Sequence, residues 1–180
     1  MRMRRNQDDH NYRVRFLEPP DCHYLEAAQG WLELGDPQSA LDELELINPL
    51  MRAHPAVLAV QCEVCGAARK WNHVLTVATV LVQTAPIFLF GWVQRSAALH
   101  ELKRTQEAFD LLLPANKKFP TVATVPYNLA CYSAQLRRLK DARMWLHRAF
   151  AIGDAKELKL TALDDPDLEP LRNQIESLWS

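Results

Sequence analysis

Four stretches of this chain align on one another without a gap at a constant interval of 34 residues: GDPQSALDELELINP from 35, RKWNHVLTVATVLVQ from 69, KRTQEAFDLLLPANK from 103 and RRLKDARMWLHRAFA from 137. A fixed period of roughly 20–50 residues constrains a fold strongly, because each copy must form the same unit and bury the same face against its neighbours. The middle of each stretch holds a small residue: Ala40, Val74, Ala108 and Ala142. Four residues on come Leu44, Ala78, Leu112 and Leu146, and three further Ile47, Leu81, Ala115 and Ala149. Apolar residues at i, i+4 and i+7 form one stripe on a helix. A small side chain at its centre lets a second helix approach closely.

The segments before these stretches repeat more loosely. An opening position holds Tyr24, Leu58, Trp92 and Pro126. The pair that follows is Ala27-Ala28, Gln61-Cys62, Arg95-Ser96 and Leu129-Ala130, and a further large position holds Trp31, Cys65, Leu99 and Ser133. Together the two halves resemble the tetratricopeptide-repeat (TPR) family across about residues 21–154. The resemblance implies an all-α fold, a right-handed α-α superhelix of four helix-turn-helix repeats (21–54, 55–88, 89–122 and 123–154). An N-terminal tail, 1–20, mobile or docked, would precede it, and a C-terminal cap, 155–180, would follow. Five glycines in 180 residues and 48% hydrophobic content agree with helices. In the cap, Leu168, Leu171, Ile175, Leu178 and Trp179 form a stripe, with Asp167 as N-cap and Pro170 in the tolerant first turn. The run YNLACYSAQ…LDDPDLEPLR is similar to the closing unit of many bacterial TPR proteins. Pro114 predicts a bend, or an early end, near Leu111–Leu113.

For function, the resemblance implies a non-catalytic protein–protein interaction module that binds a peptide or protein in the groove lined by its first helices. The groove residues are then Leu25, Gln29, Glu63, Phe90, Val93, His100, Tyr127 and Cys131, with Phe90 and Tyr127 as apolar anchors. The family's best-known groove clamps carboxylates with Lys, Asn and Arg. Here one row reads Leu25, Ala59, Val93, Tyr127 and the other Gln29, Glu63, Ala97, Cys131, which argues against carboxylate capture. Such a groove would equally suit the tail, through Tyr12, Val14, Phe16 and Leu17, or a second copy of the chain in a homodimer. The alternative is a chaperone of the bacterial-secretion type, holding an apolar segment of a partner.

Other chemistry is weakly supported. A formal net charge of −1 gives no reason to expect nucleic acid or anionic membrane as partner. Charge is uneven, however: +2 over residues 1–20, +5 over 101–148 and −4 over 154–180. The run 101–148 reads as a solvated outer face, with a nucleic-acid or acidic-partner site as the alternative. Val74–Val93 holds no charge, but Pro86 and Gly91 divide it into two buried helices rather than one membrane span. The first residues lack a secretory h-region, and four cysteines are too few for a disulfide scaffold, so a cytoplasmic setting is expected. Cys62-Glu63-Val64-Cys65 has the spacing of a redox pair or half a zinc site, but both cysteines fall on core positions and no second CxxC or HxxxH accompanies them. The six histidines are scattered, and the acyl-hydrolase, P-loop and dinucleotide signatures are missing. Asp164, Asp165 and Asp167 around Pro166 lack EF-hand spacing and read as a capped turn. No enzyme activity, metal or cofactor is expected.

Overall fold

The computed structural model describes residues 17–177, with side chains to Gln174. No strand occurs among these residues. The tail residues Tyr12, Val14 and Phe16, and the stripe positions Leu178 and Trp179 together with the side chain of Ile175, lie outside them.

Four hairpins follow one another. The first pairs α1 (Asp21–Glu33) with α2 (Pro37–Leu46), and the second α3 (Pro55–Ala67) with α4 (Trp71–Thr84). The third pairs α5 (Leu89–Glu101) with α6 (Thr105–Leu112) and a short continuation, α7 (Ala115–Lys118). The fourth pairs α8 (Thr124–Gln135) with α9 (Leu139–Ile152). The second helices therefore start at 37, 71, 105 and 139, one period apart each time. The uncharged stretch is split between α4 and α5, and among the described residues no helix is long and apolar enough to cross a membrane. At that split the indole Nε1 of Trp92 donates to the Pro86 carbonyl at 3.0 Å, fixing the turn.

The turn inside every hairpin is the same. The middle of its three residues has positive φ: Gly35 at 79°, Arg69 at 53°, Lys103 at 63° and Arg137 at 61°. In each, the next N–H reaches back to the helix, Asp36 to Trp31, Lys70 to Cys65, Arg104 to Leu99 and Arg138 to Ser133, at 2.8–2.9 Å. A second bond from the left-handed residue closes the Schellman pattern, which satisfies carbonyls the helix end leaves open. Glycine adopts this conformation without Cβ strain, whereas Arg and Lys do not. Lys103→Gly is therefore expected to raise stability by about 0.5–1 kcal/mol, read as a higher melting temperature; a fall would show that the lysine side chain holds the turn.

Packing follows the period. All twelve stripe positions, from Ala40 to Ala149, are buried, and Leu44 is the most exposed at 6%. Gly91 marks a close approach of α4 and α5, since a Cβ there would lie 3.0 Å from Leu81 Cγ, itself fully buried. Trp31 is 39% exposed although it holds a large position of its helix. Pro114 ends α6 at Leu112, and α7 resumes three residues later. Proline lacks the N–H that would have continued the ladder. Arg95 repairs part of the break, its Nη2 donating to the Leu111 carbonyl at 3.1 Å while its guanidinium lies 5.1 Å from the Trp92 ring centroid.

Past α9 the chain forms α10 (Ala155–Asp164), a 3₁₀ helix (Pro166–Leu171) and α11 (Arg172–Ser177). Asp154 caps α10 through the N–H groups of Lys156 and Glu157. Asp165, rather than Asp167, caps the next element, accepting from the Asp167 N–H at 2.9 Å. Pro170 lies inside that element, which tightens to 3₁₀ geometry where an α-helical bond is unavailable. Leu168 and Leu171 are buried in the core of repeats 3 and 4.

Candidate protein-binding surface

First helices contact first helices, α1 with α3 and α3 with α5, so they form one layer of the stack. The eight residues expected in the groove differ in what they do there. Gln29 and Glu63 are exposed; partial burial raises the Glu63 carboxyl pKa. Val93 is half-buried and belongs to no core cluster, as are Ala59 and Ala97. Leu25 packs into the core of repeat 1. Phe90 is half-buried, with its ring packed on the cores between α3, α4 and α5 and stacked at 5.9 Å on Phe88.

The last three residues are brought together by the 3₁₀ segment. The Tyr127 hydroxyl donates to Asp165 Oδ2 at 2.9 Å, and the Cys131 thiol reaches the same oxygen at 3.5 Å. His100 Nε2 lies 3.0 Å from Asp167 Oδ2, and its Nδ1 3.0 Å from the Thr105 hydroxyl. With Nε2 donating to the carboxylate, Nδ1 of a neutral ring accepts from Thr105. Gln135 Nε2 completes the seat by donating to the Asp167 carbonyl at 3.0 Å. Burial first, and then the nearby acidic side chains, push the Cys131 thiol far up, and burial does the same to the Tyr127 phenol. Among the described residues, the C-terminal segment thus lies over α8 and His100, whereas Gln29 and Glu63 are exposed.

Comparison with known proteins bears on the fold alone. No family model matches the chain, and no curated protein does. Among solved structures, the chain is similar to MamA 41-end from Desulfovibrio magneticus RS-1, with a TM-score of 0.69 and 16% identity, over 91% of this chain and 97% of that one. It is also similar to the MamA RS-1 ArsTM double mutant, with a TM-score of 0.67 and 15% identity, over 81% and 79%. The fold is a TPR-like helical-repeat solenoid.

Within this solenoid Asp165, Asp167 and Gln135 were not among the residues singled out for the groove. Their signal was the acidic Asp-Asp-Pro-Asp run, which local reasoning assigns to capping; its second partner, the inner face of α8, is 34–38 residues away. Cys62 and Cys65 sit inside the core between α3 and α4, both buried and unbridged. Burial raises both thiols, Cys62 to about 12, and the neighbouring Cys65 and Glu63 add to the rise at Cys62. A thiol held that far from ionisation is a poor nucleophile and a poor metal ligand at neutral pH. No group of three or more potential metal-ligating side chains occurs among the described residues. In native protein, Cys22, the half-exposed one, is expected to react with a disulfide reagent well before the other three, which require unfolding. Rapid modification of Cys62 or Cys65 would identify a redox pair instead.

Proposed function

We propose that this chain is a non-catalytic protein-interaction module that receives a segment of a partner protein on the inner face of repeats 1 to 3. The observation that supports this best is the change along one layer of first helices. Over repeat 4 the surface is filled by an acidic, apolar turn of the chain itself, with Leu168 and Leu171 buried. Among the described residues, the corresponding positions of repeats 1 to 3 are small or apolar and half-buried at Ala59, Val93 and Ala97, and polar and exposed at Gln29 and Glu63. Small floor residues let a helix or an extended strand approach closely, and the polar rim offers hydrogen bonds for orientation.

Site-specific photo-crosslinking tests this directly. A benzophenone side chain at Val93 is expected to trap a defined partner segment, whereas one at Met144, exposed on α9, is expected not to. Val93→Glu should abolish the adduct made from a second probe at Ala59. Equal yields from the Val93 and Met144 probes would reject the inner face as the binding surface.

A further inference from the structure

Three of the four hairpin turns place a cation at the left-handed position and a second cation beside it: Arg69-Lys70, Lys103-Arg104 and Arg137-Arg138. The first repeat has Gly35-Asp36 there. All six cationic residues are exposed. Gly35 shows that glycine makes this turn in this very fold, so the demands of the turn do not account for three strained long side chains. Stacked repeats bring corresponding turns to one edge of a solenoid. Arg138 Nη2 donates to Gln106 Oε1 at 2.7 Å, tying the fourth turn to the helix that leaves the third. Among the described residues only Arg104 of the six has a carboxylate partner, Glu107, at 2.7 Å.

The structure also shows what kind of chain lies against one end of this edge. Arg137 and Gln135 share a hollow with Pro166, Glu169 and Pro170 of the acidic C-terminal segment. Gln135 reads a backbone carbonyl of that segment, the one at Asp167. Carboxylates along the edge, Glu101, Glu107 and Glu169, would repel the uniform charge of a phosphate backbone but leave room for a peptide whose acids are spaced.

We propose that the turn edge of repeats 2 to 4 is a docking strip for an extended acidic segment of a partner protein, laid across the three dibasic turns. This rests on the reading of the chain as a protein-binding module but uses a different surface from the inner face. Single exposed ion pairs contribute little, so the strip acts through several pairs at once and weakens with salt.

The test uses the full chain and a fluorescein-labelled peptide in which eight glutamates alternate with serine, read by anisotropy at low and physiological salt. Charge-matched single-stranded DNA and a lysine peptide form the other arms. The peptide is expected to bind saturably and more tightly than the DNA, with the lysine peptide silent. The triple variant Arg69→Gly, Lys103→Gly, Arg137→Gly should bind about tenfold more weakly without a fall in melting temperature, because glycine relieves the strain. Val93→Glu should leave this binding unchanged, so that loss of the inner-face adduct and loss of strip binding report on separate readings. Undiminished peptide binding by the triple variant, no saturable peptide binding by wild type, or tighter binding of the DNA would each overturn the proposal.

Discussion

Removal of the chain from Ala155 onward is expected to lower the melting midpoint by roughly 10 °C or more and to strip hydrogen-exchange protection from α8 and α9 while α1 to α4 keep theirs. The removed part contributes Ala162, Leu168 and Leu171 to the core, all nearly fully buried. Two buried leucines alone represent about 3–6 kcal/mol of lost burial, a large share of the stability of a domain. The deletion also leaves Tyr127 and Cys131 without the carboxylate they share. Because each repeat of a solenoid is stabilised by its neighbours, the loss is confined to the C-terminal end. Dye binding to newly exposed apolar surface should rise in parallel. A finer version is Asp165→Ala, which removes one acceptor used by Tyr127, Cys131 and the Asp167 N–H at once. It should cost about 2–3 kcal/mol, a bond to a charged acceptor being worth more than a neutral one. Tyr127→Phe combined with Asp165→Ala should cost less than the sum of the two.

The second large effect concerns the repeat stripe. Leu146→Ala should destabilise the protein by about 2–5 kcal/mol, since its side chain is 1% exposed and its removal leaves a cavity that packed helices close only in part. Met144, two residues away on the same helix, is 56% exposed, and Met144→Ala should change stability by no more than about 0.5 kcal/mol. Chemical denaturation of the pair reads the difference. Similar costs at both positions would mean that α9 is not oriented by the stripe.

The helical fold was legible because one physical requirement repeats. Ala40, Val74, Ala108 and Ala142 must be small where two helices cross, and their neighbours four and seven residues on must be apolar; no context beyond the helix is needed to see either. The left-handed turn residues were less legible. Arg69, Lys103 and Arg137 begin the aligned stretches, yet nothing in an arginine or lysine announces positive φ as Gly35 does. Least legible was the covering of repeat 4. Asp165 has a local reason to exist, capping the turn at Asp167, and that reason hides its long-range bonds to Tyr127 and Cys131. Tyr127 and Cys131 carry the same helical register as Leu25 and Gln29, so periodicity alone assigned them to an open groove. Their burial depends on where a later, non-repeating segment folds back. Pro114 was readable as a breaker, but the guanidinium of Arg95 at the Leu111 carbonyl is a tertiary contact that no helix rule supplies.

Backbone chemical shifts from solution NMR test the register most directly. Helical shifts are expected in four pairs of blocks, with breaks centred on residues 35, 69, 103 and 137 and shifts diagnostic of positive φ at each of those four. Strand-type shifts within 21–152, helix running unbroken from Trp71 through Glu101, or turns displaced from that constant interval would contradict it.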